Sequence, residues 1–572
     1  MTVVQTIRRR ECVVGGDWPD AVLPLLRRIH AARGAHDARR AQPRLADLLA
    51  PDSLLGLDVA CALLMDAMAA NRHIVAVGDF DCDGATACAV GVRGLRLLGA
   101  RNVSYAVPNR MVHGYGLSPA LVEELVGLKP DLLVTVDHGI ACHAGITAAK
   151  AYGWQVLVTD HHLPGERLPP ADAIVNPNQV GDAFPSKMLA GVGVMFYVLL
   201  ALRRKLREAG HFADAVPDLS VLLDLVAVGT VADLVPLDAN NRALVGAGLR
   251  RLRAGQGCAG LNALIDISGS HAATLSCTDI GFRLAPRLNA AGRLEDMSLG
   301  IECLLTDDTA QARDIAQSLD GINAERRGLQ QNMVDDAEAV LAGIELDGAL
   351  PAALCLFDSE WHPGVIGLVA SKLKEKAHRP TIAFAPAEPG STLLRGSARS
   401  IPGFHIRDAL AAVNAAHPGL IDKFGGHAMA AGLSLRHDAL PLFESAFRSH
   451  AAAVLDAALL QSELLSDGEL AAEEFDRAHA EALRDGGPWG QGYPEPLFDG
   501  SFEVIAWRVV GDRHLKLELA QGAQKLNAIH FGGWDGDVPP ARIRIAYRLE
   551  PDDYRGRHAI QLIVVYRTQC DL

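Results

Sequence analysis

Three carboxylates crowd into five residues at Gly78-Asp79-Phe80-Asp81-Cys82-Asp83-Gly84, directly after the apolar run His73–Val77 and directly before a helical pattern. Like charges at that spacing repel, and a fold keeps them where a cation neutralises them or water solvates them. Two further apolar runs end the same way. Leu132–Val136 delivers Asp137-His138-Gly139, and Val156–Thr159 delivers Asp160-His161-His162. A lone aspartate after a strand is usually a helix N-cap, but three such strand ends favour one shared acidic site. Gly229-Thr-Val-Ala-Asp233, after the apolar run Val221–Val228, adds a fourth carboxylate source. An EF-hand is excluded: Asp79, Asp81, Asp83 and Gly84 match its first six positions, but Val90 stands where a bidentate Glu belongs, and a strand precedes the loop.

The runs His73–Val77, Asp131–Val136, Trp154–Thr159 and Ala173–Val175 are short and nearly continuous in β-branched residues, with helix-like stretches such as Ala85–Leu98 and Ala141–Tyr152 between them. Buried strands alternating with crossover helices predict a parallel α/β sheet, which collects ligands at the carboxyl ends of its strands.

At about 150 residues per domain, 572 residues predict three or four domains. Residues 1–70 read as a helical lead-in, with Leu45, Leu48, Leu49, Leu57, Ala60, Leu64 and Met68 at helical spacing, and 71–305 as the α/β catalytic domain. Residues 306–345 form a long connecting helix in which Leu319, Ile322, Leu329, Met333 and Val340 step by helical intervals. A second α/β domain, 346–460, opens with strands Ala352–Phe357 and Thr381–Ala385 and is Gly-rich from Gly390 to Gly432. In the last region, 461–572, Phe502–Val510, His514–Leu519, Leu526–His530, Arg542–Arg548 and Ala559–Tyr566 alternate as five strands, the pattern of a C-terminal β-barrel of OB-fold type.

Ten cysteines, Cys570 the last, are scattered without a C-x-x-C pair, which suits reduced thiols and gives no zinc knuckle. The opening MTVVQTIRRRECVVGG has no signal-peptide core. The uncharged run Met188–Leu202 has 15 residues, short of the roughly 18–20 that cross a bilayer, and reads as a buried core helix. The expected compartment is the cytoplasm, with no membrane partner. Net charge is −14, which taken alone argues against a nucleic-acid partner, although an acidic metal site and local basic patches hide inside such a total.

Carboxylate oxygens with one or two imidazoles and no thiolate cluster suit Mn²⁺ or Mg²⁺. Five or six acidic ligands carry too much charge for one divalent ion, so two ions about 3.5–4 Å apart are expected, acting on a phosphoester or phosphoanhydride. Cations to hold the phosphate are available at Pro108-Asn109-Arg110, Arg287, Arg293 and Arg395-Gly-Ser397-Ala-Arg399-Ser400. The alternative for each isolated arginine is a structural ion pair. Trp361 and His362 offer a base-stacking surface or a core aromatic. In the barrel, Trp507, Arg508, Arg513, His514, Lys516 and Tyr547 mix rings and cations as a single-strand platform does, and alternation puts Arg542, Arg544 and Arg548 on one face.

These motifs resemble the DHH phosphoesterase superfamily, whose name is the triplet Asp160-His161-His162, and within it the RecJ family of bacterial single-strand-specific exonucleases. The likeness runs over nearly the whole chain. It also takes in Pro286-Arg287-Leu288-Asn289-Ala290-Ala291-Gly292-Arg293, Trp361-His362-Pro363-Gly364, Gly425-Gly426-His427, Pro488-Trp489-Gly490 and His514-Leu515-Lys516-Leu517. Two positions depart from the family pattern: Phe80 replaces the more usual Tyr, and His138 stands where Asn or a small residue is common.

The resemblance implies that 71–305 is the DHH domain and 346–460 the DHH-associated domain. It implies that Asp81, Asp83, Asp137, His161 and Asp233 coordinate the metals, with Asp79 a ligand or its supporting partner. His162 would contact the scissile phosphate or assist proton transfer, Asp160 would orient an imidazole, and His427 would touch the substrate. The implied activity is a metal-dependent 5′–3′ exonuclease that hydrolyses single-stranded DNA to 5′-mononucleotides in recombination and repair. A helicase and a single-stranded-DNA-binding protein are the candidate partners. The competing readings are a DHH phosphatase of small nucleotides or oligonucleotides and an inactive DNA-binding scaffold.

Overall fold

A computed structural model describes residues 5–110, 112–213, 215–346, 350–553 and 558–569, and the side chains of these except 342–346. Cys570 lies outside the described residues. The other nine cysteines are all free thiols.

The catalytic sheet has five parallel strands, β2 Ile74–Val77, β3 Val103–Ala106, β4 Leu132–Val136, β5 Gln155–Thr159 and β6 Ala173–Val175, in the order β3-β2-β4-β5-β6. The β-branched runs form β2 and β4 because every side chain there is buried between helix layers. Register sets Ile74 beside Leu132 and Leu132 beside Gln155, so Val77, Val136 and Thr159 finish at one edge. That alignment brings Asp79–Asp83, Asp137 and Asp160–His162 together. The edge strand β3, Val-Ser-Tyr-Ala, is an addition to the strands expected from sequence: it is only half-buried and has no continuous apolar run to mark it.

Three apolar helices pack under this edge, Cys82–Leu97, Gly191–Glu208 and Leu223–Ala232. The second is the buried core helix read from the uncharged run. Among the described residues no single helix is long and apolar enough to cross a membrane. Asp233 follows the last residue of the third helix, so the fourth carboxylate comes from a helix end rather than a strand end.

The N-terminal region is not purely helical. Strand β1, Gln5–Arg9, pairs in parallel with β12, Ser462–Ser466, and ties the start of the chain to the C-terminal region. Of the stretch around Leu45–Met68 only Leu57–Ala69 is α-helical, because Pro51 and Gly56 interrupt the pattern.

The connecting helix spans Thr309–Leu346. The second α/β domain is a mixed sheet, β7 Leu354–Phe357, β8 Thr381–Pro386, β9 Leu393–Arg399, β10 Lys423–Gly426 and β11 Ala430–Arg436, ordered β10-β11-β9-β8-β7. Its own core centres on Phe384, Leu410, Phe443 and Phe447. The barrel closes as β13-β14-β15-β17-β16 from β13 Phe498–Val510, β14 His514–Gln521, β15 Gln524–His530, β16 Arg542–Asp552 and β17 Ala559–Gln569. Its interior continues the catalytic domain's core, whereas the second α/β domain packs separately.

Candidate metal centre and phosphate pocket

The loop after β2 is fixed before any ligand enters. Asp81 caps the Cys82–Leu97 helix by accepting a hydrogen bond from the Gly84 amide at 3.0 Å, and Asn289 accepts from the Cys82 amide at 2.8 Å. Asp83 is turned inward, where its carboxylate accepts from the amides of Gly191 at 2.6 Å and Val192 at 3.0 Å. Two glycines permit this crowding. A Cβ on Gly191 would lie 2.4 Å from the Asp137 Cβ, and one on Gly229 would lie 2.2 Å from Thr86 Oγ1 and 2.9 Å from Asp83 Oδ1.

Asp137 sits in the left-handed backbone region, φ 65°, which aspartate tolerates better than most residues and which aims its carboxylate back across the strand edge. His161 Nε2 lies 3.2 Å from Asp137 Oδ1 and 3.5 Å from Asp233 Oδ2. Yet His161 Nε2, Asp137 Oδ1 and Asp79 Oδ1 are buried with no hydrogen-bond partner. Buried polar atoms are normally satisfied, and these three could hold a cation. Three overlapping sets have ligand atoms within 4.8 Å of one another: Asp83 with His161 and Asp233, Asp79 with Asp81 and Asp137, and Asp137 with His161 and His162. Asp137 and His161 each belong to two of these sets, and the oxygen-rich donors fit Mn²⁺ or Mg²⁺.

The electrostatics agree. Burial, and then the charge of neighbouring carboxylates, pushes the Asp79, Asp137 and Asp233 carboxyls well above their ordinary range and Asp83 to about 7. Burial and the His162 charge lower His161 to about 4, leaving a neutral imidazole fit to bind metal.

Asp160 plays a different part from the other acids. Its Oδ1 accepts from the amides of His161 at 2.7 Å and His162 at 3.0 Å, its Oδ2 accepts from the Ile140 amide at 2.9 Å, and Oδ1 meets His162 Nδ1 at 2.8 Å. Burial opposes its ionisation, but these bonds hold its carboxyl below the usual range. The same pair raises His162, against the effect of burial. His138, one of the two departures, is a buried support: its Nε2 bonds the Val77 carbonyl at 2.9 Å, and burial lowers it to about 4.

Cations gather on the other side. The Arg110 guanidinium stands 5.0 Å over the Phe80 ring. Arg293 donates to the Gly364 carbonyl at 3.2 Å and is lowered to about 9 by burial and by Arg110 and Arg399. Arg399 is lowered by burial and Arg110, and Arg110 by burial, with Asp79 and Asp81 pulling it back. Ser397 accepts from Arg399 Nη1 at 3.1 Å, and a Cβ on Gly367 would lie 3.0 Å from both Ser397 Oγ and Arg399 Nη2. Three mutually repelling arginines near an acidic cluster could together receive an anion.

Other expectations need correction. Arg287 is paired with Asp320 at 2.8 Å and donates to the Arg283 carbonyl; it braces the connecting helix. Trp361 is 5% exposed and packs in the core beneath the connecting helix, and so stacks no base. Tyr547 is 1% exposed inside the barrel, while Arg544 and Arg548 are held by Asp499 and Glu495. Exposed rings on the barrel include Trp507, stacked on the half-buried Trp534 with centroids 5.4 Å apart, and Phe531, edge-on to His514. His427 does reach the centre: its ring stacks on His162 at 6.0 Å and 19°.

Asn176, Asn178 and Tyr115 join the site without having been expected from sequence. Asn176 and Asn178 bond the carbonyls of His162 and His161 and hold the triplet in place. Their signal is the Asn-Pro-Asn tripeptide directly after β6. A cavity of about 770 Å³ lies elsewhere, between the Ala239–Arg253 helix, the Arg477–Asp485 helix and β16, and has none of the clustered carboxylates.

The model of the DHH family, N-terminal domain, matches residues 73–230, that of the DHHA1 domain 350–453, and that of the RecJ OB domain 466–566. Over 574 residues the chain is 48% identical to the single-stranded-DNA-specific exonuclease RecJ of Dickeya dadantii, with 99% of each covered. It superposes on the crystal structure of RecJ from Thermus thermophilus in complex with Mn²⁺ with a TM-score of 0.79 at 32% identity, covering 96% of this chain and 76% of that one. The Mg²⁺ complex from the same organism gives 0.75 at 30% identity, covering 96% and 75%.

Proposed function

The chain belongs to the RecJ family, and from that premise we propose that it hydrolyses single-stranded DNA from the 5′ end to 5′-mononucleotides. The observation that carries the reading is the set of buried, unpartnered ligand atoms on Asp79, Asp137 and His161 facing an arginine pocket. Asp83, His161 and Asp233 would hold one Mn²⁺ or Mg²⁺ and Asp79, Asp81 and Asp137 the other. Bound there, the ions would lower the pKa of a water and neutralise charge at phosphorus.

The chain's own residues do the rest. Asp160 fixes the ring of His162, which faces the scissile phosphate or assists proton transfer at the leaving oxygen. Arg110, Arg293, Arg399 and Ser397 receive the terminal 5′ phosphate. His427 closes the cleft from the second α/β domain. The Trp507–Trp534 pair stacks bases of the trailing strand. We assign catalysis to the DHH domain at 71–305, end recognition to 346–460 and strand binding to 461–572. A site for one strand needs strands opened and presented by others, so a helicase and a single-stranded-DNA-binding protein are the partners in recombination and repair in the cytoplasm.

The test is digestion of end-labelled single strands, with and without a 5′-phosphate, in Mn²⁺. Release of labelled mononucleotide from the 5′ end, faster with the phosphate, supports the reading. Attack from the 3′ end or on free nucleotides alone overturns it.

A further inference from the structure

Tyr115 has no place in the scheme above, yet it touches three of its parts. It lies in the turn between β3 and the Pro119–Leu125 helix and is 50% exposed, so the fold gains little from burying it. Its ring stands edge-on to Phe80 and to His162, each at 6.0 Å and 80°. Its hydroxyl donates to the Asp137 carbonyl at 3.3 Å and lies 3.4 Å from His162 Nε2 and 3.5 Å from its Nδ1, favouring neither nitrogen. The turn is pinned: Gly114 and Gly116 have φ of 74° and 71°, and a Cβ on Gly116 would lie 2.7 Å from Cys142 Sγ and 3.3 Å from His138 Nδ1. The backbone there is built to present this side chain.

We infer that Tyr115 is a positioning residue for His162. Asp160 anchors the Nδ1 edge of that imidazole, and the rings of His161 and His427 lie against it with centroids 4.4 Å and 6.0 Å away. The tyrosine ring, itself edge-on to Phe80, adds an edge contact to the same imidazole and limits its swing. The hydroxyl contacts are all long for hydrogen bonds, so the ring supplies the constraint. The inference rests on the proposed role of His162.

The test compares Tyr115→Ala and Tyr115→Phe in the full chain by steady-state digestion of a 5′-phosphorylated single strand in Mn²⁺, with Mn²⁺ titration calorimetry and melting temperature alongside. Loss of orientation in a reacting geometry typically costs about 10- to 100-fold in rate. Tyr115→Ala is expected to lower kcat by about that factor with KM changed less than about threefold, and Tyr115→Phe to restore kcat to within about threefold of the wild type. Mn²⁺ affinity and melting temperature stay unchanged. A rise in KM alone would make Tyr115 a base platform, and equal loss in both variants would assign the effect to the hydroxyl. Weakened Mn²⁺ binding would make the residue structural, and each of these results overturns the inference. If the wild type itself shows no Mn²⁺-dependent cleavage, the proposed function fails instead.

Discussion

Asp160 Oδ1 meets His162 Nδ1 at 2.8 Å while the same carboxylate accepts three backbone amides, so one buried acid sets both the ring and the peptide that carries it. On the proposed reading Asp160 acts as a support for His162. Asp160→Asn should lower kcat by about 10- to 100-fold while leaving Mn²⁺ stoichiometry intact. Calorimetric titration paired with a nuclease assay checks it; lost metal with retained turnover would be the wrong pattern.

Arg399 and Arg287 separate two fates of arginine. Arg399 bonds Ser397 in the cationic pocket, whereas Arg287 is neutralised by Asp320. Arg399→Ala should erase the rate advantage of a 5′-phosphorylated strand, a loss of about 10-fold or more for a charge-assisted contact. Arg287→Ala should lower the melting temperature and leave that advantage in place. Kinetics on paired phosphorylated and hydroxyl-ended strands tell the two apart.

Asp499 joins the N-terminal strand to the barrel. Its buried carboxylate accepts from Arg9 at 2.9 Å, Arg544 at 2.8 Å and Ser466 at 2.5 Å. Burial opposes ionisation, but these partners lower it to about 2. A depressed acid stabilises the fold above its unfolded value near 4 and loses that contribution as pH falls toward 2. Asp499→Asn should therefore cost roughly 1–2 kcal/mol near neutral pH, given that both arginines are partly exposed. The gap to wild type should narrow between pH 4 and 2 in denaturant titrations.

Much of the centre was legible because its signal is local. Continuous β-branched runs mark buried parallel strands, and an aspartate after each marks the edge where ligands gather. What escaped depends on partners far along the chain. Gln5–Arg9 reads as a strand only once Ser462–Ser466 lies beside it. Tyr547 alternates correctly but points inward, since an aromatic ring suits a barrel core as well as a binding face. Arg287 and Arg293 share one helix and one motif, and only the fold shows that Asp320 claims the first. Asp233 was found by residue type, although a helix delivers it.

Divalent cations belong among these acids, and counting them is the decisive check. Titration of the metal-free protein with Mn²⁺, followed by electron paramagnetic resonance, should give two ions per chain. Asp137→Asn, which alters a ligand of one of the two proposed ions, should abolish tight binding of that ion and hydrolysis with it. A protein that takes up no manganese, or a variant that binds two ions as tightly as the wild type, would contradict the account.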